Sequence, residues 1–184
     1  TPDSTLCYND LEARDSTVNR TQWIPMSVAL CYTMLECDKT FSWLAPAGLN
    51  RGGLPWATKL RCASDLGVRD ILNDNQIIFP IHFKNPQSSA DPVGIYVWNA
   101  DTLNATNSAL DDIGVQRLLS VLTRSTRAQF LYYNFEADDS VLRTTLVNNL
   151  KKNILEPCLQ GEGLDWYDVI CDETTTSNQD VANG

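Results

Sequence analysis

Two long stretches with helical spacing constrain this chain more than any other feature. In DDIGVQRLLSVLTRSTRAQFLYYNF the apolar side chains Val115, Leu118, Leu119 and Leu122 fall at i, i+3, i+4 and i+7, and in DDSVLRTTLVNNLKKNILEPCL Leu142, Leu146, Leu150 and Ile154 repeat the pattern. That spacing lines one face of an α-helix and predicts two core-facing helices. Asp138 or Asp139 serves as cap for the second, and Pro157 closes it. A shorter helix is read over SDLGVRDILNDN, capped by Ser64 or Asp65, and a largely buried one over 24–37, where Pro25 suits a first turn.

The runs IIFPIHF (77–83) and VGIYVW (93–98) are β-branched and aromatic, and read as two strands joined by the turn-rich KNPQSSADP. Pro80 makes the first an edge or bulged strand. GLDWYDVICDE (163–173) alternates like a further strand. Strands and helices follow one another without a regular βαβ rhythm, so the expected class is α+β, a mixed sheet covered by helices in layers. At 184 residues the chain can bury about 70% of the surface its unfolded form exposes, enough for one sizeable core. Residues 1–22 read as a polar lead-in with one strand near 6–8, residues 23–173 as the core domain, and 174–184 as a polar tail. The Thr1-Pro2 opening and the polar close read as a piece of a longer chain.

Fourteen basic against 23 acidic side chains leave a net charge of −9, and the basic residues form no run. Nucleic-acid binding needs concentrated Lys and Arg and is not expected. No apolar run reaches the ~20 residues that span a membrane. The six cysteines, Cys7, Cys31, Cys37, Cys62, Cys158 and Cys171, lack metal-ligand spacing and lie in apolar segments, so they read as reduced core thiols, with no metal site and folding in a cytosolic compartment. The single histidine, His82, sits in an apolar strand as a structural residue. No P-loop, GxSxG, GxGxxG or HExxH occurs, and no cofactor is expected. The pairs Asp111-Asp112 and Asp138-Asp139 open helices and read as caps, not as a catalytic dyad. The sequons at Asn19 and Asn104 matter only in a secretory pathway.

The eight residues PAGLNRGG (46–53) concentrate three glycines, a proline and an arginine. Read from residue chemistry, they form either a ligand-cradling loop or a fixed structural corner.

The order of short motifs narrows the choice. WIPMS with Trp23 and Pro25 comes first, then FSWLAPAGLNRGGL with Trp43, Pro46, Gly48, Arg51 and Gly52. VRDILNDNQIIFPI follows with Arg69, Asp70 and Asn73, then VWNADTL with Trp98 and Thr102, IGVQRLLSVL with Arg117, and YDVICDETTTS with Cys171 and Asp172. In sequence and spacing this series, over about 23–180, resembles the conserved core of contractile tail sheath proteins, of myophages and of related contractile injection systems. Asn99 and Asp101 stand where that family usually has Gly and Arg, Gln116 where a basic residue is common, and Ser177-Asn178 only approximates its Asn position.

The resemblance implies a layered sheath-core domain without catalytic function. It implies a structural subunit of a virion tail, assembled in the bacterial host cytoplasm, that polymerises around an inner tube and contracts to drive the tube through the host envelope. Its implied partners are neighbouring subunits, joined through N- and C-terminal arms absent from this chain, and the tube; the chain by itself is expected to be monomeric. PAGLNRGG becomes a structural corner, with Arg51 pairing with an acid such as Asp70 or capping carbonyls. The alternatives are an adaptor or binding module on the same fold, and an acidic glycan-active enzyme.

Overall fold

The structure, a computed structural model, describes residues 4–15, 17–63, 65–84, 93–104 and 108–171. Asp172, the tail at 174–184 and most of the KNPQSSADP turn lie outside the described residues. The chain divides into two compact units, 1–117 and 118–184.

In the first unit, β1 (Leu6–Cys7) lies where a strand was expected, and two further strands follow it within or just beyond the segment read as a lead-in. β2 (Asp10–Asp15) and β3 (Arg20–Pro25) form an antiparallel hairpin in which Asp10 pairs with Pro25 and Asp15 with Arg20. β2 is hard to read as a strand because DLEARD is rich in residues depleted from sheets; of its side chains only Leu11 is fully buried. β4 (Ala57–Leu60) completes a three-stranded antiparallel sheet in the order β3-β2-β4, with a register shift at Glu12/Ala13.

The IIFPIHF run divides at Phe79 into two short strands with different partners. β5 (Ile77–Ile78) pairs in parallel with β1, while β6 (Pro80–Phe83) pairs antiparallel with β7 (Gly94–Val97). Pro80 opposes Val97 at the first position of β6, where its missing N–H interrupts no continuous ladder. The α+β class therefore holds, and its described strands are distributed over three small sheets.

α1 (Met26–Asp38) begins after Pro25, whose extended backbone (φ −61°, ψ 146°) forms the N-terminal cap position. Met26, Ala29, Leu30, Thr33 and Cys37 share its buried face, whereas Val28 and Leu35 are exposed. A helix expected to be largely buried is therefore buried along one stripe. That stripe joins Leu11, Leu54, Ile78, Ile95, Val97 and Ile113 in the main core. α2 (Gly48–Arg51) is a single turn. α3 (Leu66–Asp74) buries Leu72, which packs with Phe79 and Ile81 in a second cluster.

α4 (Ile113–Phe130) starts in the first unit and continues into the second. In the second unit a 3-10 turn (Leu131–Tyr133) leads to α5 (Ser140–Leu150), where the Asp139 side chain accepts a bond from the Leu142 N–H at 2.6 Å. The helix does not close at Pro157. It widens into a π-helical turn at Lys151–Leu155 and continues as α6 (Glu156–Gln160), which places Pro157 in a first turn, where a missing N–H is tolerated. Residues 163–171 form no strand: Trp166 and Ile170 are exposed, and alternation without a partner strand closes no ladder.

Candidate functional site

The Gly/Pro segment is built backbone against backbone. Ala47 is extended, Gly48 takes φ +82°, and the α2 turn closes with the Gly52 N–H donating to the Gly48 carbonyl at 2.8 Å. The chain then runs alongside β7: Val97 N–H donates to the Gly52 carbonyl at 2.7 Å, and Leu54 N–H to the Ile95 carbonyl at 2.9 Å. A Cβ on Gly52 would overlap the Val97 carbonyl oxygen, so this position requires glycine for close approach. Arg51 Nε donates to the Ala45 carbonyl at 3.0 Å, the carbonyl-capping arrangement; among the described residues it forms no ion pair with Asp70. The N–H groups of Gly52 and Leu54 are already spent on protein carbonyls, so they are not arranged to cradle a phosphate.

The strand-end segment after β7 locks onto the start of α4. Thr102 is 1% exposed; its N–H donates to Asp111 O at 2.6 Å and its Oγ1 to Leu110 O at 2.9 Å. Ile113 N–H returns to the Ala100 carbonyl at 2.9 Å, and Asp101 bridges Asp112. Asn99 accepts the Ala100 N–H on its own side chain at 2.7 Å. Trp98 points outward beside Phe83, ring centroids 5.8 Å apart.

The paired aspartates act as caps, as their positions suggest. Asp111 completes a capping box with Ser108, and Asp112 accepts the Gly114 N–H. In the second unit Asp139 caps α5 and Asp138 pairs bidentately with Arg143 at 2.7 and 2.6 Å, a contact that holds its carboxyl below the usual range. A carboxylate committed to such bonds is poorly disposed to protonate a leaving group.

Arg117 ties this assembly to α1. Its guanidinium donates to the Met34 carbonyl at 3.3 Å and pairs with Asp38, placing a cation on the last turn of a helix. Gly114 lies so close to the Trp43 carbonyl that a Cβ would come within 2.6 Å of it. Gln116 Nε2 donates to the Leu110 carbonyl at 3.2 Å. Trp43, Pro46, Gly48, Arg51, Gly52, Trp98, Thr102 and Arg117 thus belong to connected segments around one corner. Trp23 and Pro25 lie at the β3-to-α1 junction. Arg69, Asp70 and Asn73 lie on α3, whose end is closed by Gln76 N–H donating to Asn73 O at 2.9 Å. Cys171 is the last described residue, and Asp172 falls outside.

Two features escape the motif reading. Gly114 looks in sequence like an ordinary helix residue, and only the approach of the 43–45 backbone explains it. The turn FLYYNF exposes Leu131, Tyr132 and Phe135 to 69%, 85% and 106%, and Phe135 takes φ +75°. The run of aromatics between two helices was its available sequence signal.

All six cysteines are free, but only Cys37 and Cys158 are buried, while Cys31 and Cys62 are exposed. Cys31 occupies the outer side of α1 and Cys62 the loop after β4, so the expectation of six core thiols does not hold. Burial pushes the Cys37 and Cys158 thiols up. Among the described residues no group of His, Cys, Asp and Glu could hold a metal ion, and no helix is long and apolar enough to cross a membrane.

The corner defines a class: an α+β domain in which loop segments join secondary elements to one another. In sequence the chain is similar to the tail sheath proteins of two phages. It is 26% identical to the tail sheath protein of Enterobacteria phage T4 over 171 residues, 92% of this chain and 23% of that protein. To the tail sheath protein of Vibrio phage KVP40 it is 26% identical over 161 residues, 87% of this chain and again 23% of the relative. The chain thus spans about a quarter of these relatives. No family model matches.

The fold is shared with subunits of contractile injection systems. A chain of the anti-feeding prophage baseplate superposes with a TM-score of 0.79 at 17% identity, covering 98% of this chain and 48% of that one. The sheath of an extracellular contractile injection system, PVC, in its contracted state gives 0.78 at 20% identity, covering 100% and 50%.

Proposed function

We propose that this chain is the core portion of a structural subunit of a contractile tail sheath, which polymerises around an inner tube and contracts to drive the tube through a host envelope. The observation that carries the reading is the combined likeness, in sequence to two phage tail sheath proteins and in fold to injection-system subunits, over nearly the whole chain. The corner supports it, since a rigid body that slides against copies of itself needs segments tied internally. The work of contraction is stored in contacts between subunits, so the role requires no catalytic site or cofactor. Partners are neighbouring copies and the tube, the location is the virion tail, and assembly takes place in the host cytoplasm.

Negative-stain electron microscopy of the full-length protein beside this 184-residue chain tests the reading. Striated tubes from the full-length protein, with a monomeric short chain, are expected. Discrete closed complexes would move the assignment to an adaptor on the same fold, and a monomeric full-length protein would overturn the sheath reading.

A further inference from the structure

Positive charge is scarce in this protein, with 14 basic residues against 23 acidic. Yet one half-enclosed cavity of about 280 Å³ is lined by Lys59, Arg69, His82 and Lys84. These residues come from β4, from α3, from β6 and from the position just after β6, so they are brought together by the tertiary fold and not by a run in the sequence. One carboxylate, Asp65, also lines the cavity. Three permanent cations therefore face one anion, before His82 takes up a proton.

We propose that this cavity binds a small oxyanion of the phosphate and sulfate class. The volume lies at or below the lower end of ordinary ligand pockets, which suits a compact ion. Ammonium and guanidinium groups are the side chains that hold such oxygens by charge-assisted hydrogen bonds. His82 lines the cavity as well, and its buried Nδ1 has no protein partner among the described residues, the kind of unsatisfied group that calls for an explanation. Burial, then the charge of Lys84, holds the His82 ring below its ordinary pKa, and a bound anion would relieve that second effect. Across the strand pair Lys59 is in register with Glu12, a second carboxylate that opposes binding and whose Oε2 accepts from Thr58 Oγ1 at 3.1 Å. Asp65 opposes binding. Its side chain makes no capping bond to α3, so its charge can be removed without loss of a cap. The inference is independent of the sheath reading.

The single histidine gives the test an intrinsic reporter. Inorganic phosphate is titrated into the 184-residue chain at constant ionic strength, maintained with chloride, while the imidazole C–H resonances are followed by NMR. A saturable shift with a midpoint in the millimolar range is expected, and sulfate should compete. Neutralising both lysines (Lys59→Gln with Lys84→Gln) should weaken binding at least fivefold, and Asp65→Asn should tighten it about threefold. A non-saturating shift equal to that caused by chloride overturns the proposal. So does an affinity unchanged in the double variant while its circular dichroism spectrum matches the parent, or displacement of phosphate by acetate at equal concentration.

Discussion

The two units of this chain are held in different ways. The first concentrates fully buried side chains, Leu11, Ile78 and Val97 at 0% exposure and Met26 at 1%, and joins its segments through backbone bonds between distant residues. The second is helical, and α5 buries none of its residues. What fixes its connections is local and polar: the Asp139 cap, the Asp138–Arg143 pair, and Asn149 donating to the Tyr133 hydroxyl at 2.5 Å. Large apolar burial and long-range ladders make a cooperative body, whereas caps and ion pairs at exposed positions each contribute little. The first unit thus carries the main buried core, whereas the buried apolar side chains of the second are few, Leu118, Ile154 and Cys158 among the described residues.

The largest effect that would break this contrast is a cavity in the first core. Ile78→Ala should cost about 4 kcal/mol, while Val141→Ala on the exposed side of α5 should stay within about 0.5 kcal/mol. Urea unfolding followed by circular dichroism measures both, and equal losses would remove the distinction.

Next comes the corner. Gly52→Ala forces a methyl group into the Val97 carbonyl and the Gly48 backbone, and should cost about 3 kcal/mol. Gly67→Ala on α3 meets nothing within 4 Å and should be neutral or slightly stabilising. If the two variants melt alike, the close approach at Gly52 is not a constraint.

These positions also show how much was legible before the fold. The helices of the second unit followed from apolar spacing, and the caps at Asp111, Asp112 and Asp139 from helix-start chemistry, because both signals are local; the core-facing burial that the spacing implied did not, since of the eight spaced residues only Leu118 and Ile154 are buried and Leu119 is 42% exposed. The corner was flagged by its glycines, but residue chemistry alone left it between cradle and structural joint. The partner of Gly52 is Val97, 45 positions away in the chain (97 − 52), and no local rule reports that pairing. The division of IIFPIHF between two sheets was hidden for the same reason: each half has a different distant partner. Over the described residues 163–171 the expected strand does not form, because alternation describes a face and does not supply a neighbour to pair with.

Arg117 offers an intermediate effect. Its side chain is 18% exposed, it joins α4 to the last turn of α1 through Met34 O and Asp38, and its Nη1 is buried without a partner. Arg117→Met keeps the packed stem and removes the charge, and should cost about 1–2 kcal/mol through the freed carbonyl and the unpaired Asp38. In the second unit, Arg143→Met breaks a pair whose arginine is equally covered but whose carboxylate also lies in a helix-start loop. A loss there equal to or larger than that of Arg117→Met would reverse the ranking of the two ties.

The smallest effect is a pH dependence confined to the first unit, since the chain's only histidine is there. Burial, with Lys84 second, lowers the His82 pKa from 6.5. At pH values below about 6.5 the unfolded chain therefore binds a proton that the folded chain resists, so folding stability is full above 6.5 and declines as pH falls toward the folded value. The carboxylates with lowered pKa, Asp15 and Asp138, act in the same direction but nearer pH 4, below this window. Between pH 7 and 5.5 the parent should lose thermal stability, and His82→Gln should flatten that slope. Adding phosphate should reduce the loss in the parent and leave the variant unchanged, because a bound anion favours the protonated ring. Parallel slopes in parent and variant would show that the buried Nδ1 is satisfied in either protonation state, and would assign the acid sensitivity of the first unit to its carboxylates.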